Sequence, residues 1–303
     1  MICEKNVPSH FEGTYIIPEE KLKKAVKNAL DKLSGKIEIY KHQFPGTSSE
    51  NYKYPLGDNG NWICGMHTGC FLLAYELSGD EKFLDVAKEH MATYKDRVER
   101  VYRLGDHDVG FVFSPSCVAM YKLTGDESAK QTALKAAEIL YNKSYSQKGG
   151  FIIRAANSLP EEWACRTMVD TMFNIPLLYW ASEETGDEKY KNAANSQVNI
   201  TKNLLVRPDG SSYHHYQFDV DTHKPIKGIT NQGRSDESTW SRGQGWCIAG
   251  FPIAYSYNGD KSLLDVQREN VQYMLNHLPK DNLPYWDYDF VEECGEPLDV
   301  SAG

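Results

Sequence analysis

Apolar and polar positions alternate along this chain in two distinct ways, and the two come in pairs. Trp62–Leu77, Asp108–Leu123, Asp170–Glu184 and Arg242–Tyr257 are mostly apolar with small residues interleaved. Each is followed by a stretch with amphipathic helical spacing: Glu81–Tyr94, Glu127–Tyr141, Glu188–Asn203 and Lys261–His277. The punctuation inside each pair is the same: Ser78-Gly79-Asp80, Thr124-Gly125-Asp126, Thr185-Gly186-Asp187 and Asn258-Gly259-Asp260. Glycine suits the left-handed residue that ends one helix, and aspartate caps the start of the next. So short a connection predicts antiparallel helix pairs, each with an apolar inner and an amphipathic outer member. Repetition of that unit predicts a double ring of helices. One more amphipathic helix is predicted over Glu19–Gln43, ahead of the pairs. Arg207–Ser238 breaks the pattern: it alternates at Tyr213, Tyr216 and Phe218 and carries turn residues, so it reads as a short β-hairpin and loop.

The punctuation also sets a register. Trp62, Asp108 and Arg242 each lie 17 residues before their glycine, and Asp170 lies 16 before its own. At 1.5 Å per residue that is about 25 Å from the turn, at the N-terminal end of an inner helix. Parallel inner helices would bring all four residues to one mouth. The plain alternative is that inner helices share a length and have polar starts, although caps favour Asp and not Trp or Arg.

Composition narrows the function. The net charge of −9 argues against nucleic acid as a partner. Nineteen Tyr, 11 Phe and six Trp suit sugar stacking as well as a large core. The N-terminus lacks a basic-then-apolar leader and no apolar run approaches a membrane span, so a cytoplasmic protein is expected. Cys3, Cys64, Cys70, Cys117, Cys165, Cys247 and Cys294 form no CxxC pair, which fits reduced thiols better than a zinc site.

Candidate chemistry gathers at a few places. Asp170 is a lone carboxylate among Met168, Val169, Met172 and Phe173, either a helix cap or a working acid. Asp106-His107-Asp108 offers two acids and an imidazole, but consecutive residues rarely converge on one ion, so no metal is expected. Asp108 is an N-cap or a partner to Asp170, since two carboxylates at one mouth drive their pKa values apart. Trp240-Ser241-Arg242-Gly243-Gln244-Gly245-Trp246, with Gln232 ahead of it, combines a carboxylate-binding guanidinium with stacking rings. Trp240 is the more exposed of the two tryptophans by this reading, and Trp246 divides evenly between core and ligand. His214 and His215 sit on the irregular segment, where long loops in compact folds tend to be functional.

Taken in order, these residues resemble glycoside hydrolase family 88, the unsaturated glucuronyl hydrolases. The blocks that carry the resemblance are Asn61-Trp62, His107-Asp108-Val109-Gly110-Phe111, Asp170 with Asn174-Ile175-Pro176-Leu177-Leu178, Ser211-Ser212-Tyr213-His214, Gln232-Gly233, Trp240 to Trp246, and Leu278-Pro279-Lys280-Asp281 followed by Tyr285-Trp286-Asp287. The resemblance implies an all-α (α/α)6 barrel, a six-hairpin toroid, as a single domain over residues 1–303. It implies Asp170 as general acid/base and Asp108 as its partner carboxylate. His214, Gln232, Trp240, Arg242 and Trp246 would line the uronic-acid subsite, with Trp62 and His107 also among the substrate-binding positions. The substrate would be an unsaturated uronic-acid oligosaccharide of glycosaminoglycan type, left by a polysaccharide lyase. It would be opened by hydration of its C4=C5 bond without cofactor, in a monomer or homodimer.

Three departures from the family pattern stand out. The chain stops at Gly303, so the ring is expected to lack its last hairpin and to leave flanking helix faces open to water. The aromatic expected after Gly149-Gly150-Phe151-Ile152 is replaced around Ala155 and Ala156, with Arg154 alongside to meet an anionic group. Asp106 stands where the family has a histidine, adding negative charge. Rival readings are an unsaturated rhamnogalacturonyl hydrolase acting on pectin fragments, an inactive sugar-binding remnant, and an isomerase on the same double ring.

Overall fold

The structure is a computed structural model that describes residues 17–154, 164–291 and 294–302. Ala155 and Ala156 lie outside the described residues. The chain divides into two compact units between Lys143 and Ser144.

The first unit opens with α1 (Glu19–Ser34) and α2 (Ile37–Tyr40), followed by a two-strand pair, β1 (Phe44–Pro45) and β2 (Leu56–Gly57). The single helix expected over Glu19–Gln43 is thus broken, and the break falls at Gly35, the C-cap of α1. Glycine is the weakest helix former after proline, which explains the stop. Two helical pairs complete the unit: α3 (Ile63–Ser78) with α4 (Glu81–Glu99), then α5 (Val109–Phe113) and α6 (Ala119–Thr124) with α7 (Glu127–Ser144). The inner helix of the second pair is not continuous. A π-helical turn, Ser114–Val118, joins α5 to α6 because Pro115 has no N–H to donate. Inner and outer faces follow the sequence pattern: α3 buries Phe71 and Leu72 against Phe83 and Val86 of α4. By contrast α1 buries none of its residues. With Leu73 and Leu77 of α3 it lines an open apolar groove of about 730 Å³.

The second unit carries β3 (Tyr145–Ser146) paired with β4 (Phe151–Ile152), then β5 (Arg166–Met168). A 3-10 turn, Val169–Phe173, follows β5 and leads to α8 (Pro176–Thr185) and its partner α9 (Glu188–Ile200). The expected hairpin is present as β6 (His215–Phe218) and β7 (Pro225–Ile229). It is not isolated, because β5 pairs antiparallel with β6 and makes a three-stranded sheet. The last pair is α10 (Ser241–Asn258) with α11 (Ser262–His277).

All four Gly-Asp turns work as the sequence requires. Gly79, Gly125, Gly186 and Gly259 are left-handed, at φ 69°, 75°, 71° and 74°. The preceding Ser78, Thr124, Thr185 or Asn258 oxygen accepts the aspartate N–H at 3.2, 3.3, 3.2 and 2.9 Å. Each aspartate then caps the outer helix, for example Asp126 Oδ1 accepting from Ser128 N–H at 2.8 Å. Such a cap is worth about 1 kcal/mol against alanine. No helix among the described residues is long and apolar enough to cross a membrane.

Candidate functional site

Asp170 stands at the end of a sheet, not on a long helix as expected. Pro176 sits in the first turn of α8, where its missing N–H costs nothing, and the helix begins there rather than at Asp170. The carboxylate lies in the 3-10 turn directly after β5. Its position is set by the sheet: Val169 N–H donates to His214 C=O at 3.0 Å, extending the β5–β6 ladder to the residue before Asp170. Asp170 is only 7% exposed, between the fully buried Val169 and Met172. Asn174 donates from Nδ2 to its carbonyl at 3.3 Å.

Around this turn the unit gathers His214, Gln232, Trp240 and Arg242. His214 is 2% exposed, and its Nδ1 accepts two backbone N–H groups, from Asn231 and Gln232, both at 3.2 Å. Two N–H donors make Nδ1 the acceptor, so in the neutral ring the proton sits on Nε2. That nitrogen is 3.0 Å from His215 Nε2, which then serves as the acceptor. His214 therefore ties the 230–232 turn to β6. Gln232, exposed on that turn, accepts from Arg242 Nη2 at 2.9 Å. The Arg242 guanidinium stacks over Trp240 at 4.6 Å, and His214 lies on the same ring at 4.5 Å. Trp240 is consequently 5% exposed, not the open ring that its place before a helix suggested. Gly243 permits this closeness: a Cβ there would lie 2.8 Å from Trp240 Cε3 and 3.3 Å from Val169 Cγ1. Trp246 is half-buried against Phe173, with ring centroids 4.7 Å apart. The neighbouring Cys247 thiol is pushed up to about 12 by burial and is inert there.

In the first unit, Trp62 caps α3 in position only and packs on Phe111 at 5.3 Å. Asp108 occupies the N-cap position of α5 without a side-chain capping bond. Asp106 Oδ1 accepts the Asp108 N–H at 3.0 Å, and His107 Nε2 lies 3.3 Å from Asp108 Oδ1. His107 is 1% exposed, so its ring is buried behind Asp108. One donor atom from each of Asp106, His107 and Asp108 falls within 4.8 Å of the others. The Asp106–Asp108 and His107–Asp108 contacts hold the three side chains at this spacing.

Sequence reasoning missed the groups that hold these residues. Asp287 is fully buried and accepts from Ser238 Oγ at 2.6 Å and Arg234 N–H at 2.9 Å, fixing the segment from Gln232 to Trp240. Arg207 donates to Ser238 C=O at 3.0 Å, Ser212 C=O at 3.2 Å and Thr239 Oγ1 at 3.1 Å. Asp287 stood within a recognised block but had no role attached; its neighbours in space are distant in sequence. Arg154, which the sequence offered to an anion, donates to Met168 Sδ at 3.2 Å. Burial, and then the charge of Arg154, lowers Arg166 to about 10.

The sequence profile of Glycosyl Hydrolase Family 88 matches residues 30–284. An "Unsaturated chondroitin disaccharide hydrolase" of Streptococcus pneumoniae is 38% identical over 97% of this chain and 74% of its own length. The crystal structure of unsaturated glucuronyl hydrolase from Streptococcus agalactiae superposes with a TM-score of 0.91 at 37% identity, covering 95% of this chain and 72% of that one. That of the Bacillus sp. GL1 enzyme, described as responsible for the degradation of glycosaminoglycan, gives 0.89 at 35% identity, covering 92% and 74%. The helix-rich fold belongs to the α/α-toroid class of these enzymes. The chain belongs to glycoside hydrolase family 88.

Proposed function

We propose that this protein releases the unsaturated uronic acid from the non-reducing end of lyase-generated glycosaminoglycan-type oligosaccharides. The reading is supported by its relatives, unsaturated chondroitin disaccharide and glucuronyl hydrolases. The observation that carries it is the buried Asp170 next to Val169, whose N–H donates to His214 C=O and whose side chain meets Gly243. The acid thus follows directly on the residue that joins the stacked Arg242, Trp240 and His214. The substrate's enol ether needs a positioned proton donor, and a carboxyl group withdrawn from water is suited to hold that proton. Asp170 gives its proton to C4, water adds at C5, and the carboxylate takes back a proton from that water. The hemiketal then opens and rearranges, and the linked sugar leaves from C1. Arg242 supplies positive charge for the uronate carboxylate, with Gln232 holding the guanidinium in place. Asp108 is the second carboxylate of this scheme on the family resemblance alone. Residues 1–303 serve as one catalytic domain, in a reducing, cytoplasmic setting that suits the free Cys64, Cys117, Cys165 and Cys247.

The test is a matched pair of chondroitin disaccharides, one with the C4=C5 bond and one saturated. Consumption of the first, with loss of its ultraviolet absorbance and release of the amino sugar, is expected; the saturated partner should persist. Equal turnover of both would mean direct displacement at the glycosidic carbon and would end the hydration scheme.

A further inference from the structure

Arg97 lies on the outer helix α4 and is 3% exposed. Among the described residues it forms no ion pair within 4 Å; its bonds go mainly to backbone carbonyls on two separate loops. On the first loop Nη1 donates to Asn59 C=O and, at 3.1 Å, to Asn61 C=O, while Nη2 reaches Gly60 C=O at 3.4 Å. On the second, Nε donates to Tyr102 C=O at 3.1 Å and Nη2 to Arg103 C=O at 3.2 Å. Nη1 also meets Cys64 Sγ at 3.3 Å in the first turn of α3. Only a planar fork with five donors reaches so many acceptors at once; an ammonium has three.

The second loop leads directly into Asp108, which the proposed function uses, and the first into Trp62, a substrate-binding position on the family resemblance. Asn61 precedes Trp62, and its Oδ1 accepts Cys64 N–H at 3.1 Å at the start of α3. Arg103 is followed by the buried Leu104 and then by the Asp106–Asp108 turn. The second loop is also strained. Val101 and Arg103 hold φ of 50° and 51°, a region costly for a branched side chain and maintained only where the surroundings enforce it. The loops touch as well: a Cβ on Gly60 would lie 3.1 Å from Tyr102 Cε1 and 3.2 Å from Arg103 Cδ.

We propose that Arg97 is a positioning residue, a buried guanidinium clamp that fixes the Trp62 and Asp108 loops against each other. It touches no substrate; it acts through the two loops. The inference rests on the proposed function for the role of Asp108 and on the family resemblance for that of Trp62, but the clamp itself rests on neither.

Two variants test it, Arg97→Met and Arg97→Lys, each assayed on its folded fraction with unsaturated chondroitin disaccharide. Arg97→Met should lower kcat/KM at least tenfold, with KM raised as the Trp62 loop loosens and kcat lowered as Asp108 drifts. Arg97→Lys keeps the charge but not the fork, and should fall between that variant and the wild type. A merely structural arginine would lower the unfolding midpoint and leave kcat and KM of the native fraction unchanged, and that result overturns the proposal. Hydrogen exchange supplies a readout that needs neither variant nor activity. In the wild type the Gly60 and Tyr102 amides, on different loops, should open with the same protection factor; independent opening would overturn the clamp even if both variants fail to fold. An inactive wild type whose two loops still open together would sink the proposed function and leave the clamp standing.

Discussion

Replacing Gly65 by alanine sets a propensity gain against a steric loss, and the structure decides which wins. Gly65 lies inside α3, where alanine would stabilise the helix by about 1 kcal/mol. The added methyl, however, would sit 2.2 Å from Val112 O, 2.4 Å from Val112 Cα and 2.5 Å from Phe111 O. These are backbone atoms of α5, and all five residues of that helix are buried, so none can swing aside. Relief needs α3 and α5 to part by about 1 Å, which opens voids in a close-packed interior at a cost of about 3 kcal/mol. The net expectation is a loss of about 2 kcal/mol, read by urea denaturation followed by circular dichroism. Gly245→Ala is the control. It too lies inside a helix, α10, but its nearest foreign atom is Ala302 O at an ordinary 3.4 Å. That variant should gain about 0.5–1 kcal/mol. The same substitution thus has opposite signs at two helical glycines. A Gly65→Ala protein as stable as the wild type would refute the close approach of α3 and α5.

Two further outcomes follow from buried polar groups. Burial, and then the charge of His90, lowers His67 to about 4 from its usual 6.5. The folded state then refuses a proton that the unfolded state accepts, so stability is complete above pH 6.5 and falls towards pH 4, by about 1–2 kcal/mol at pH 5. His67→Phe should flatten that part of the pH–stability curve, and an unchanged acid slope would remove His67 as its cause. Asp287→Asn turns one acceptor into a donor facing the Arg234 N–H or the Asp289 N–H, which Asp287 Oδ1 accepts at 3.0 Å. It should cost about 1–3 kcal/mol and raise KM through the loosened Gln232 turn; unchanged stability and KM would show that the turn holds itself.

The repeat was legible in the sequence because its signals are local. Side chain, left-handed glycine and capping aspartate all act within three residues, and all four turns formed as read. The irregularities were less visible. The single helix expected over Asp108–Leu123 is interrupted at Pro115, and whether such a helix stops or widens into a π turn depends on packing beneath it. Strand β5 was hidden because its three residues, Arg166-Thr167-Met168, carry no period, and only pairing with β6 defines it. Trp240 looked exposed since the sequence does not show that His214 and Arg242 both pack on its ring. Arg97 left no trace, because its acceptors are main-chain carbonyls, which any residue provides.

Asp170→Asn tests the central claim most directly. The replacement keeps the shape of the side chain and takes away its ability to deliver and retrieve a proton. Wild-type protein should abolish the ultraviolet absorbance of an unsaturated chondroitin disaccharide, while the variant, with its circular dichroism and unfolding midpoint retained, should leave the absorbance standing. A folded Asp170→Asn protein that consumes the disaccharide at the wild-type rate would contradict the account.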